Sequence, residues 1–376
     1  MFIRGIGRTK FGVMDESIHK MIYSTICGAL EDCGKEINDI GAIISSNFLS
    51  GQLQGQLHNN ALIAGLLPGI NIPIYHVETA CASGGAAFNL GLSLLNKYDT
   101  IMVVGFEKMN GPTIHPPIEA LTMAEDYEHG YEKGLIFPAA YGLIAQAYLD
   151  KYNASHEILE MIAYNNHVNA NLNPLAHFYE KNVSMEMIKN SKIVSSPLTL
   201  YDCSPLSDGA AAVILSNHRQ SDRDIQVLSS ELVTDSISII QRNDLTTFPA
   251  TKLAAKTAFN HARIQPKDID ILQVHDCFTI SELIALEDLG ICPVGKANQL
   301  VINEEITLNG SLPVNTDGGL KANGHPVGAT GLAQIYEITT QLRNEAGKRQ
   351  VHDCEIGVSQ NIGGIGATSI VSVFGV

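Results

Sequence analysis

The chain has 376 residues, 45% hydrophobic and 17% charged, with 33 glycines and a net charge of −15. That length accommodates a large core in one or two domains, and the composition fits a compact α/β enzyme rather than a disordered or fibrous chain. The negative charge argues against binding to nucleic acid or an anionic membrane, so the cations for any anionic substrate must be local.

Seven cysteines, Cys27, Cys33, Cys81, Cys203, Cys277, Cys292 and Cys354, form no C-x-x-C pair. An odd, scattered set points to a reducing compartment, with neither a disulfide framework nor a metal site in its spacing. No secretory apolar region opens the chain, no apolar run is long enough to span a bilayer, and the last residues are no peroxisomal tripeptide. The cytoplasm is the expected location.

In chain order, Phe2–Gly7 reads as a strand and Ser17–Asp32 as a helix with Met21, Ile22, Ile26 and Leu30 on one face. Ile40–Ser45 is a strand, His58–Leu67 a helix and Ile72–Val77 a strand. That strand feeds Cys81, the small residues Ala82, Ser83, Gly84 and Gly85, and a helical pattern. Thr100–Phe106 follows as a nearly continuous apolar run. Such alternation predicts a sheet buried on both faces. From Asn110 to about Ser196 no strand pattern holds; helices are expected over Ala140–Lys151 and His156–Asn169, in an insertion suited to covering a site. Ser207–Leu215 returns to strand character. A second half then runs in similar order: strand character near Ile225, a helix over Lys252–Ala262, a strand over Ile269–Val274 and a helix over Ser281–Leu289. A glycine-rich loop at 318–331, a helix over Leu332–Leu342 and strands at Glu355–Val358 and Thr368–Val373 complete it. The halves read as a weak repeat, each with a small-residue loop starting a late helix.

Four stretches carry chemistry. Cys81 precedes a helix start, where free N–H groups and the macrodipole favour a thiolate; the same residue could instead be a small buried hydrophobe. His325 stands in Gly324-His325-Pro326, between glycines that admit a ligand. There it could deprotonate a thiol, donate to an oxyanion, or simply pack in the loop. His275 and Cys277 follow a predicted strand, where ligands of open α/β sheets gather. If that strand continues, both face one pocket; alone, such a pair is as easily structural. Gly363, Gly364 and Gly366 follow another strand and could offer an N–H or make a tight turn.

Taken together, these stretches resemble the thiolase superfamily over essentially the whole chain. The Cys81 motif, the strand Val103–Met109, Ser207-Asp208-Gly209-Ala210-Ala211 and the loop Gly318–Gly331 each look like landmarks of that family. His275-Asp276-Cys277-Phe278 resembles the sterol-carrier-protein-type thiolases and related archaeal and bacterial enzymes. Most other thiolases have Asn-Glu-x-Phe there and a second cysteine near the C-terminus, where this chain has Asn361-Ile362-Gly363.

The resemblance implies an α/β thiolase fold: two similar βαβαβαββ halves layered α/β/α/β/α, with a helical and loop insertion in the first half. Residues 1–110 and 197–222 would form the N-terminal half, 111–196 a loop domain covering coenzyme A, and 223–376 the C-terminal half. No appended sterol-carrier domain is expected. The implied activity is acyl-CoA C-acetyltransfer, by Claisen condensation or thiolytic cleavage of a 3-ketoacyl-CoA, within lipid metabolism. Cys81 would hold the acyl group, His325 would activate it, and Cys277 would shuttle protons. His275 would hold a water in an oxyanion hole with His325. The N–H groups of Cys81 and Gly363 would form a second hole, and His167 would contact coenzyme A. No tightly bound cofactor is expected; the coenzyme A thioester is substrate. A homodimer or homotetramer is implied, pairing through Thr100–Phe106, as is a small OB-fold, zinc-ribbon partner. Two alternatives remain open: a coenzyme A-independent carbon acyltransferase acting on a phenolic or polyketide carbon, and a non-catalytic subunit of a complex.

Overall fold

The structure is a computed structural model that describes residues 1–128 and 134–376. The first half runs β1 (Phe2–Arg8), α1 (Ile18–Asp32), β2 (Ala42–Ser46), a short α2 (Ser50–Leu53), α3 (Asn59–Leu66), β3 (Ile74–Val77), α4 (Ser83–Leu94) and β4 (Thr100–Glu107). The insertion carries α5 (Pro117–Leu121), α6 (Phe137–Tyr152), α7 (Glu157–Ala170), α8 (Met185–Lys189) and a small hairpin, β5 (Ile193–Ser195) with β6 (Leu198–Thr199), before β7 (Gly209–Ser216). The second half runs β8 (Ile225–Thr234), α9 (Pro249–Ala262), β9 (Ile271–Gln273), α10 (Thr279–Asp288), α11 (Ala297–Ile302), α12 (Thr330–Leu342), β10 (Ile356–Gly363) and β11 (Thr368–Gly375).

Side-chain periodicity builds the layers. On α1, capped by Ser17 Oγ, the residues Met21, Ile22, Ile26, Ala29 and Leu30 are buried at helical spacing. They meet Met102, Val104 and Phe106 of β4 and Ala210, Ala212 and Ile214 of β7. The alternate residues of the same strands, Ile101, Val103, Ala211, Val213 and Leu215, face the other way, toward Phe88 and Leu92 of α4 and Leu332, Ile335 and Ile338 of α12. Beyond α4 and α12 lies the second half's sheet, whose far face packs on α9, α10 and the insertion helices α6 and α7. The expected five layers are present, with α4 and α12 in the middle one.

Strand order reveals the repeat more clearly than the sequence. The sheet reads β3-β2-β4-β7-β1-β8-β11-β10-β9. The halves meet where β1 and β8 pair antiparallel through only Phe2–Gln226 and Ile3–Ile225. Read outward from that seam, each half has the same order. The second half's third strand, however, has shrunk to one bridge between Val314 and Leu272. Among the described residues, the strandless expectation for the insertion misses only the β5–β6 hairpin.

One expectation is overturned. Thr100–Phe106 lies inside the sheet, parallel to β2 and antiparallel to β7, and every residue of β4 is buried. With both edges occupied it cannot pair with another copy. The first half's free edge is β3, bonded on one side only, with Tyr75 and His76 exposed.

Candidate active site

The loop before α4 exposes Cys81 toward the centre. Ala80 turns the chain at φ 52°, and Ser83 Oγ accepts from Thr79 N and donates to the Ala80 carbonyl, at 2.9 and 2.6 Å. The second half brings its loop to the same spot. Glu107, at the end of β4, accepts from Asn47 Nδ2, the N–H groups of Phe48 and Leu49, and Gly328 N, all within 3.2 Å. Burial pushes its carboxyl up to about 7, while those donors pull it back. One buried acid thus fastens the His325 loop to the first half.

Cys81 Sγ and one ring nitrogen each of His275 and His325 lie within 4.8 Å of one another, all three residues buried. His325 Nδ1 sits 2.7 Å from Thr330 Oγ1, and that hydroxyl donates to the Pro326 carbonyl at 3.0 Å. With its proton committed, the hydroxyl accepts from Nδ1–H, so Nε2 of His325 holds a lone pair. Burial pushes the imidazole down to about 3, so the ring is neutral.

The expected resting thiolate is absent. Burial, the neighbouring Cys277 and the Glu107 carboxylate push the Cys81 thiol well up, against the pull of the Gly364 and Cys81 N–H groups. Desolvation outweighs the helix terminus here, so a base is required. The Gly364 N–H is among the groups beside the sulfur, and Gly364 lines the cavity; Gly363 ends β10, paired with Thr368.

Beta strand β9 stops at Gln273, so His275 and Cys277 stand in a loop rather than on one strand face. That loop is pinned at three points. Gln360 Oε1 accepts from His275 N at 2.8 Å, and the Cys277 carbonyl accepts from Ser204 N at 2.9 Å. Asp276 accepts from Leu320 N and Lys321 N, at 2.6 and 3.2 Å, tying it to the turn before His325. Burial pushes the Cys277 thiol up to about 12, while contacts with Tyr141 and Ser281 pull it down. Tyr141 itself donates to the Gly364 carbonyl at 3.1 Å and stacks on Phe278 at 4.4 Å.

An apolar cavity of about 280 Å³ opens onto Cys81, Cys277 and His325. Its outer wall comes from the insertion: Ile118, Leu121, Ile136, Phe137, Tyr141, Val194 and Leu200. Sequence reasoning missed Tyr141, which carries no motif, and Thr330, whose place five residues after His325 was a usable signal. His167 is not brought to this site. It is fully buried edge-on between Phe178 and Tyr201, both ring nitrogens lack a partner among the described residues, and it does not line the cavity.

At Asn361 the carboxamide bridges both halves. Its Oδ1 accepts from Gly85 N at 3.2 Å; its Nδ2 lies 3.1 Å from the Cys81 carbonyl and 3.0 Å from His275 Nδ1. Helices α4 and α12 cross here backbone to backbone. A Cβ on Gly331 would overlap both Asn361 Oδ1 and Gly85 N, so only glycine admits the crossing.

Comparison with known proteins gives one family. Residues 1–219 match the family model "Thiolase, N-terminal domain", and residues 232–376 match "Thiolase C-terminal domain-like". Acetyl-CoA acetyltransferase of Methanothermobacter thermautotrophicus is 42% identical, over 98% of this chain and 98% of that protein. Sterol carrier protein 2 of Bos taurus is 30% identical over 100% of this chain and 72% of its own length. Among solved structures, an Ltp2–ChsH2(DUF35) aldolase agrees in fold with a TM-score of 0.83 at 22% identity, covering 99% of this chain and 97% of that one.

Proposed function

The chain belongs to the thiolase superfamily, and from that premise we propose how its site works. It is a thiolase-type acyltransferase of the acetyl-CoA acetyltransferase kind, with a coenzyme A thioester as substrate. One observation carries the assignment of roles: Cys81, His275 and His325 gather within 4.8 Å of one another, and Cys81 and His325 line a cavity that Cys277 also lines.

The Cys81 thiol passes its proton to Nε2 of His325 as the sulfur attacks the thioester carbon. Cys277, protonated in its dry setting, gives its proton to the departing coenzyme A thiolate. The thiolate left on Cys277 then removes the α-proton of a second acyl-CoA. The resulting carbanion attacks the acyl group on Cys81, and the released Cys81 sulfur recovers its proton from His325. Two acyl-CoA molecules become one 3-ketoacyl-CoA and one coenzyme A, and reversal gives thiolysis. Developing negative charge on the thioester oxygen faces His275 and the newly protonated His325; charge on the acyl-enzyme oxygen faces the N–H groups of Cys81 and Gly364.

The same reading includes a homo-oligomer, assembled through the free edge of β3, and a small partner protein on the exposed apolar rim formed by Ile118, Ile136, Val194 and Leu200. The Ltp2 structure is itself described as an assembly with ChsH2(DUF35). Seven free cysteines support a reducing, cytoplasmic setting, and no helix among the described residues is long and apolar enough to cross a membrane.

Intact-mass measurement after incubation with acetyl-CoA tests the reading. An acetyl adduct that peptide mapping puts on Cys81 is the expected result. An adduct on Cys277 alone would reverse the two thiols, and no adduct with any acyl-CoA would remove the coenzyme A chemistry.

A further inference from the structure

Asn361 stands where an acid/base thiol is expected, and an amide shuttles no proton. Its hydrogen bonds give it a different task. The orientation of the carboxamide is fixed from two sides by main-chain groups of opposite kind: Gly85 N–H requires an acceptor and the Cys81 carbonyl requires a donor. Oδ1 therefore faces Gly85, and Nδ2 faces both Cys81 and His275. An –NH₂ group has no lone pair to offer, so the His275 Nδ1 atom 3.0 Å away must accept. A neutral imidazole that accepts at Nδ1 carries its proton at Nε2. That Nε2 is sealed from solvent with no partner among the described residues, on a residue only 1% exposed.

We propose that Asn361 is a positioning residue that locks His275 in the Nε2–H form, making it a standing hydrogen-bond donor toward the thioester oxygen. His325, whose Nδ1–H is spent on Thr330, is held in the opposite form. Two neutral histidines with ring centroids 5.0 Å apart are thereby assigned different work: one donates to developing charge, the other accepts the proton of Cys81. The lock has a second consequence. By type and spacing, Cys81, His275 and His325 form a donor set that suits a soft divalent cation. Binding one through Nε2 of His275 would move the proton to Nδ1, donor against donor with Asn361, so the amide also keeps a metal out of the site.

The proton assignment can be read on the resting enzyme. Long-range ¹H–¹⁵N spectra of histidine-labelled protein should show His275 protonated at Nε2 and His325 at Nδ1. An Nδ1–H form of His275 in the wild type overturns the proposal without any variant. Asn361→Asp keeps the size and the acceptor for Gly85 but presents an acceptor to His275. It should shift the His275 proton to Nδ1, lower kcat for acyl transfer by about 10²–10³-fold with KM little changed, and bind Zn²⁺ at least about tenfold more tightly than wild type. An unchanged His275 spectrum in the variant, or zinc binding as tight in the wild type, also overturns it. The role in catalysis rests on the thioester chemistry proposed above, but the tautomer does not. A protein that no acyl-CoA acylates, yet shows His275 in the Nε2–H form, loses the reaction and keeps the lock.

Discussion

The starts of α4 and α12 occupy equivalent places in two halves with the same strand order, yet they do opposite chemistry. Each follows a small-residue loop and runs through the central layer. The first delivers a sulfur nucleophile; the second delivers the lone pair that takes the sulfur's proton. The first is held by Ser83 and, from the other half, by the Asn361 carboxamide, whereas the second is tied across the molecule by the Glu107 carboxyl to Asn47, Phe48 and Leu49. Each half repeats the scaffold, but neither repeats the site. Duplication of a fold supplied two aligned helix starts, and the difference between them is what makes an acid–base pair.

Removing either helix start's contribution breaks that pairing most severely. Cys81→Ala should abolish acyl-enzyme formation and lower turnover by about 10⁴-fold or more, as read by intact mass and by thiolysis rate. His325→Ala should lower the acylation rate by about 10²–10⁴-fold, and its residual rate should climb with pH as hydroxide replaces the lost base; a flat profile would refute that role. Cys277→Ala affects the two steps unequally: acetyl should still load onto Cys81, more slowly because the departing coenzyme A thiolate has lost its proton donor, while carbon–carbon bond formation falls by about 100-fold or more for want of a base. Cys354, buried in the core around α4 and α12 and absent from the cavity lining, serves as its control, and Cys354→Ala should condense at close to the wild-type rate. Gly331→Ala attacks the crossing itself. Its Cβ has no space beside Asn361 and Gly85, so chemical denaturation should show a loss of about 1–3 kcal/mol, with activity falling alongside.

The smallest effect on activity is expected at a histidine outside the composite site. His167→Phe should leave KM and kcat near wild type, because the ring touches Phe178 and Tyr201 rather than the cavity. Its effect is on acid stability. Burial pushes His167 down to about 2, below the ordinary value near 6.5, so the unfolded chain binds the extra proton first. The stability it confers is complete above pH 6.5 and is lost as pH falls toward 2, at about 1.4 kcal/mol per unit. The phenylalanine variant should lack this slope in unfolding midpoints measured between pH 7 and 4; an unchanged slope would count against the sealed, neutral ring.

Local pattern explains why so much was legible. The stripe on α1, the alternation in β4 and β7, and the small residues around Cys81 and His325 are each set by neighbours a few positions away, so the elements and three site motifs are written in short windows. What was not legible depends on distant contacts. Tyr141 reaches Cys277 from a helix more than a hundred residues earlier, with no motif to announce it. Whether β4 is an edge or an interior strand depends on β2 and β7, and its apolar run is compatible with either. The protonated state of Cys81 follows from desolvation by the assembled halves, which a helix-start argument does not contain.

The seam between the halves has a consequence for how the chain is made. β1 is the first strand to leave the ribosome, but its partners are β7, through pairs such as Phe2–Ser216, and β8, through Ile3–Ile225. At roughly 5–20 residues per second, about 10–40 s of synthesis separate the strand from its neighbours. During that interval β2, β3 and β4 can assemble in parallel while β1 waits with both edges unsatisfied. The most distant pairing therefore cannot close until β7 and β8 have emerged, and ribosome-bound chains truncated before Gly209 should retain an unpaired, protease-accessible N-terminal strand.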